Sequence, residues 1–175
     1  MSRFVAVVDA LALAGAALAA LALAATCVMM GAEVFARYAL NTDLPFSWEY
    51  SGYLMSAVFF LGAAYALRSG THIRLGLLNQ LPWARARFAG EVAATALGLA
   101  VATLIAWSLG DHAWQAWVRG AQSYTPMQTP LFIPQAVPAI GAALLCLQLL
   151  ARLAAAWKRL PLEAPPEDPS ASEER

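Results

Sequence analysis

The chain has 175 residues, 61% of them hydrophobic and 13% charged, with eleven basic and eleven acidic side chains. Soluble domains carry about a quarter charged residues, so the charge needed to coat a water-facing surface is half missing, and a formal net charge of zero supplies no field to gather nucleic acid or acidic ligands. The composition excludes an ordinary soluble enzyme, a disulfide-stapled secreted domain and a disordered chain, and it points to an all-α membrane protein with little mass outside the bilayer.

The charges bracket long apolar stretches. Asp9 and Glu33 enclose 23 uncharged residues, Glu49 and Arg68 enclose 18, Glu91 and Asp111 enclose 19, and Arg119 and Arg152 enclose 32. A spanning helix needs about 20 apolar residues, because each rises about 1.5 Å and the hydrocarbon core is roughly 30 Å thick. The fourth stretch is too short for two spans, and its first part, 120–134, is polar and proline-rich. Four transmembrane helices are therefore expected near 10–32, 49–67, 91–110 and 134–152, in one domain over 1–160.

The first span competes with a secretory signal peptide, since Arg3 precedes an Ala/Leu run and Ala24-Ala25-Thr26-Cys27 loosely matches a lipoprotein cleavage site. The run is long for a signal sequence, and Thr26 stands where such a site wants a smaller residue, so a retained helix is expected. After the second span, Ser69-Gly70-Thr71 breaks the helix and Pro82 closes the next segment. Between them Ile73, Leu77 and Leu81 recur at spacing four, which predicts a short amphipathic helix on the membrane interface; a solvated loop is the alternative. The third span carries Gly90, Ala94, Gly98, Ala102, Ala106 and Gly110, a small residue at every fourth position and a ridge for close helix packing, unless it only reflects high alanine usage. Gly52 and Ser56 add a smaller patch on the second span. Pro134 suits the start of the fourth, and the tail 161–175, rich in Pro, Glu, Ala and Ser, is expected to be disordered.

Orientation follows the basic residues. Arg68, Arg74, Arg85 and Arg87 lie between spans two and three, and Arg152, Lys158 and Arg159 follow span four, whereas Arg37 and Arg119 stand alone in the other two connections. The positive-inside rule then places both termini in the cytoplasm, N-in/C-in. Tyr38, Trp48, Tyr50, Tyr53, Trp107, Trp114 and Trp117 fall near outer ends as interfacial anchors.

Catalytic chemistry finds no footing. His72 and His112 fall on opposite sides of the membrane and cannot share a haem or metal, Cys27 and Cys146 are single thiols in apolar helices, and no metal-ligand spacing, phosphate loop or nucleophile motif is present. No enzyme, no cofactor and no nucleic-acid partner is expected. Ionisable residues, which mark ion and proton paths inside membranes, are missing from all four span middles.

Several stretches, weak singly and specific in their order, are Glu33-Val34-Phe35-Ala36-Arg37-Tyr38, Phe46-Ser47-Trp48-Glu49-Tyr50, Leu61-Gly62-Ala63-Ala64-Tyr65-Ala66-Leu67-Arg68, Gly70-Thr71-His72-Ile73-Arg74 and Thr129-Pro130-Leu131-Phe132-Ile133-Pro134. On these the chain resembles, over about residues 5 to 155, the small membrane subunit of tripartite ATP-independent periplasmic (TRAP) transporters, DctQ-type. Gly76 departs from the pattern, where an Asp often follows the His-Ile segment. The resemblance implies a bacterial inner-membrane protein without transport sites of its own. It would support a large multi-span permease and help to dock a periplasmic substrate-binding protein during uptake of an organic acid, usually driven by sodium. Under that reading Arg37, Trp48 and Glu49 belong to the outer, partner-docking surface; Arg37 and Glu49 can pair with each other, with the permease or with the binding protein, or stand as solvated charges at helix ends. Arg68, His72 and Arg74 belong to the cytoplasmic interface, with Arg68 reaching lipid phosphates. The competing reading is a freestanding four-span homo-oligomeric exporter or channel.

Overall fold

The structure, a computed structural model, describes residues 2–69 and 84–157. Four helices follow one another there: α1 (Ser2–Ala39), α2 (Pro45–Arg68), α3 (Ala84–Val118) and α4 (Phe132–Trp157). All four are long and apolar enough to cross a membrane. The segment 72–81 and the tail lie outside the described residues.

Each expected span sits inside its helix, but the helices run further. At about 1.5 Å per residue the 38 residues of α1 reach about 57 Å and the 35 of α3 about 52 Å, against roughly 30 Å of hydrocarbon. Charges mark where an apolar run stops; they do not stop a helix, and α1 continues through Glu33 and Arg37 as α3 does through Asp111. What ends these two helices is backbone geometry. Asn41 adopts a left-handed φ of 52°, and the Ala36 carbonyl accepts the N–H groups of Leu40 at 3.0 Å and Thr42 at 3.2 Å. Gly120 does the same for α3 with φ 57°, the Ala116 carbonyl accepting from Ala121 at 2.9 Å and Trp117 from Gly120 at 3.1 Å. The α3 end is a Schellman cap and the α1 end a wider turn; in both, one left-handed residue lets the chain turn back onto a late carbonyl of the helix.

The helices assemble in the order α1–α2–α4–α3, with α2 running parallel to α4 and the two outer pairs antiparallel. α1 packs on α2, α2 on α4 and α4 on α3, with a smaller contact between α1 and α4; among the described residues α3 reaches neither α1 nor α2. The result is an open row. Its tightest point is Leu61 at the middle of α2. A Cβ added to Gly15 of α1 would stand 3.1 Å from the Leu61 carbonyl oxygen, and one added to Gly141 of α4 would stand 2.8 Å from the Leu61 nitrogen. Ala19, Ala57 and Leu61 form the buried cluster, with Ala22, Val137 and Leu144 against it. Burial elsewhere falls mostly on alanine, and among the described residues no large side chain is fully buried. That is the packing expected where van der Waals contact between close backbones, rather than exclusion from water, joins helices.

Candidate functional site

The polar chemistry of the chain gathers at the two ends of the row. At one end the start of α1, the end of α2 and the last turns of α4 converge. The Asp9 carboxylate faces the Arg68 guanidinium at 3.5 Å and accepts the Gln148 side-chain amide at 3.0 Å. Arg152 donates to the Leu67 carbonyl at 3.5 Å, offsetting one of the carbonyls that a helix C-terminus leaves without a partner. Gln148 is only 7% exposed, and its amide oxygen has no partner. Sequence reasoning placed Asp9 and Arg68 at span ends as separate charges; the structure joins them across two helices.

At the other end the α1–α2 connection is organised by Glu33. One of its oxygens accepts from Arg37 at 2.7 Å; the other accepts the Leu44 backbone N–H at 3.0 Å and lies 2.8 Å from the Ser47 hydroxyl. The Ser47 hydroxyl also lies 2.7 Å from the Leu44 carbonyl, so its one proton serves either acceptor. Leu44 is the N-cap of α2 without a side-chain cap of its own. Glu33 supplies one from α1, with a negative charge placed where the helix dipole favours it. Ser47 is almost completely buried at 2% exposure. Arg37 completes the network with an ion pair to Asp43 at 3.4 Å.

Glu49, one turn into α2, faces a different connection. One carboxylate oxygen accepts the Tyr53 hydroxyl at 2.7 Å, and the other accepts the Thr125 hydroxyl from the α3–α4 connection. Tyr50 lies within hydrogen-bond distance of Thr129 at 3.1 Å. Of the alternatives open to Arg37 and Glu49, pairing with each other does not form inside this chain: Arg37 is held by Glu33 and Asp43, and Glu49 by hydroxyls. Hydroxyl partners on a distant loop leave no trace in charge spacing. Trp48, between the two networks, is 86% exposed.

The small-residue positions divide. Ala102 is buried against α4, and a Cβ on Gly98 would meet Leu149 at 3.8 Å. Gly90, Ala106 and Gly110 are half-buried and Ala94 is exposed. On α2, Ser56 is half-buried while Gly52 is exposed with nothing within 4 Å. Gly15 and Gly141, which stand outside the small-residue repeat of α3, make the closest backbone approaches among the described glycines. Cys27 is exposed and Cys146 half-buried, the latter 3.9 Å from the Thr103 hydroxyl. His72 and Arg74 lie outside the described residues.

Compared with known families, residues 26–159 match the one described as tripartite ATP-independent periplasmic transporters, DctQ component. No curated protein matches the chain.

Proposed function

The chain belongs to the DctQ component family of tripartite ATP-independent periplasmic transporters, and from that premise we propose that it is the small, non-conducting scaffold subunit of such a transporter. The family is one of transporter components and not of enzymes. In the proposed assembly the chain supports a large multi-span permease, which carries the substrate sites, while a periplasmic binding protein delivers an organic acid for sodium-driven uptake.

The observation that carries the reading is the open row. A conducting protein needs polar groups along a protected path, whereas among the described residues α3 touches α4 alone, burial is mostly alanine, and the ion pairs of Asp9, Glu33 and Asp43 stand near the helix ends. A slab of this kind offers two broad apolar faces to lipid or to another membrane protein. We place both termini in the cytoplasm of a bacterium, with the chain passing four times through the inner membrane and the Asp9 end inward, on the strength of the basic residues. Arg68, with His72 and Arg74 on an interfacial helix over 72–81, then anchors the inner surface to lipid headgroups. Arg37, Trp48 and Glu49 stand on the periplasmic surface, and the small residues from Gly52 and Ser56 to Gly110 serve helix packing within the chain or against the permease.

Purifying the tagged chain from native membranes in mild detergent, with mass spectrometry of its companions, tests the proposal. A near-stoichiometric multi-span permease is expected, and Glu49→Ala should impair uptake while leaving that complex assembled. Recovery of the chain alone, as a homo-oligomer that transports when reconstituted, would establish the exporter or channel reading instead.

A further inference from the structure

Where α1 begins and α2 and α4 end, polar groups stand that the fold uses only in part. Gln148 and Arg68 both contact the same carboxylate oxygen of Asp9, Oδ1, at 3.0 Å and 3.5 Å. Among the described residues Oδ2 is left unused. Arg68 reaches Asp9 through Nε alone, although a guanidinium carries further N–H donors in a flat fork. Its Nη1 and Nη2 are left over among the described residues, and the side chains of Arg68 and Asp9 are 38% and 32% exposed. Gln148 adds a third unused group. Its Nε2 is spent on Asp9, while Oε1, on the same amide and so beside the carboxylate, is buried without a partner. The residue as a whole is only 7% exposed, and a buried acceptor in that state calls for a donor.

The unused groups are of two signs and lie side by side. A fork of guanidinium N–H groups matches a phosphate. An open carboxylate oxygen next to an amide oxygen matches an ammonium, which carries donors only. Arg152 donates to the carbonyl of the residue before Arg68, so a second positive charge backs the phosphate side. Arg68 and Arg152 close the apolar runs of α2 and α4, at the depth where acyl chains give way to headgroups. A purely anionic headgroup meets the Asp9 charge at the same place and loses part of what Arg68 offers. Choline is positive but has no N–H to donate. Glycerol donates neutral hydroxyls, without the charge attraction that an ammonium adds.

We propose that Asp9, Arg68 and Gln148 form a site for the headgroup of a phospholipid bearing a primary amine, such as phosphatidylethanolamine, with Arg68 on the phosphate and Asp9 on the ammonium. Gln148 holds Asp9 through Oδ1 and leaves Oδ2 for the ligand. The inference deepens the headgroup anchoring of Arg68 and rests on it: anchoring asks only for a phosphate, and the site adds a choice among headgroups.

The test uses the chain purified from its native membranes with whatever accompanies it, stripped of loosely held lipid. It is incubated with an equal mixture of dioleoyl phosphatidylethanolamine, phosphatidylglycerol and phosphatidylcholine, and its bound lipid is read by native mass spectrometry. Wild type is expected to retain the ethanolamine lipid about tenfold over the choline lipid. Asp9→Asn keeps an oxygen for the Gln148 amide but no charge for the ammonium. It should abolish that preference and raise the share of the glycerol lipid, and Asp9→Glu should keep the preference. Arg68→Gln should lower retention of all the lipids. Glycerophosphoethanolamine, the same headgroup without acyl chains, should not raise the thermal midpoint at concentrations where the lipid does. Equal retention of the ethanolamine and choline lipids by wild type overturns the site and leaves simple anchoring standing. A preference that survives Asp9→Asn overturns it as well, since the choice is then made elsewhere. Stabilisation by the soluble headgroup equal to that by the lipid overturns the lipid as ligand. Unchanged retention of every lipid in Arg68→Gln removes the anchoring reading itself.

Discussion

Gly141 of α4 lies directly on the backbone of Phe60 of α2: a Cβ built at position 141 would stand 2.6 Å from the Phe60 carbonyl carbon and 2.7 Å from its oxygen. Real side chains do not approach backbone that closely, so hydrogen is the only substituent the crossing accepts. Two helices meet here with nothing between them, one peptide group away from the place where Gly15 brings α1 to the same stretch of α2.

Gly141→Ala should therefore separate α2 from α4 and destabilise the fold by about 1–3 kcal/mol, the usual effect of overpacking a tight contact. Gly52→Ala is the matched control, since nothing stands within 4 Å of a Cβ there. Thermal unfolding in one detergent compares them. Equal midpoints for the Gly141 variant and the wild type would show that the crossing is looser than described.

Asp9→Ala takes away the acceptor of a side-chain amide that is almost wholly buried on Gln148. A buried donor left without a partner costs about 1–3 kcal/mol. Gln148→Leu in the same chain removes the stranded donor, together with an amide oxygen that already lacks a partner, and should recover most of the loss. Simple additivity of the two changes in a double-mutant cycle would contradict the contact.

Replacing Glu33 with Ala removes three acceptor contacts at once, from Arg37, Leu44 and Ser47. Since Leu44 has no side-chain cap of its own, the first turn of α2 should fray, raising amide exchange around 44–48 about tenfold while the middle of α2 stays protected. Arg37→Gln leaves the Leu44 and Ser47 contacts in place and should change exchange much less. Equal exchange in Glu33→Ala and wild type would remove Glu33 from this capping role.

Left-handed backbone at Gly120 admits a Cβ only at a cost of about 1–2 kcal/mol. Gly120→Val is expected to lower thermal stability accordingly and to disturb the loop that follows, whereas Asn41→Gly, at the equivalent turn after α1, should be close to neutral. The same melting series reads both; a Gly120→Val chain with wild-type stability would mean that α3 ends some other way.

How far the sequence spoke depends on the kind of signal. Four helices were legible because the gaps between Asp9, Glu33, Glu49, Arg68, Glu91 and Asp111 match the thickness of a bilayer. Helix ends were not, since Asn41 and Gly120 stop α1 and α3 through backbone turns well beyond the charged residues that close the apolar runs. The ridge through Gly98 and Ala102 was visible as a four-residue repeat, but Gly15 and Gly141 stand alone in their helices and acquire meaning only when α2 is placed beside them. At the α1–α2 and α3–α4 connections Arg37 and Glu49 were legible as charges near helix ends, but their partners were not. Glu33 is one helical turn before Arg37, so that pair is visible in hindsight as a spacing of four. The hydroxyls of Thr125 and Thr129 lie 76 and 79 positions away from Glu49 and Tyr50 in the chain, and no periodicity reports such a pairing.

An assembly with so little inside also changes how its sequence can drift. In a globular domain a substitution at a core position disturbs many neighbours, but along an open row of helices most positions have lipid or an adaptable surface on one side. Exchanges among Leu, Val, Ile and Met should pass almost unnoticed through the middles of α1 and α3. Intolerance should be concentrated at a handful of points: the two glycines over Leu61, the Asp9–Gln148 contact, and the Glu33 and Glu49 networks. Relatives of this chain are therefore expected to diverge until overall identity is nearly uninformative, while those few positions hold still.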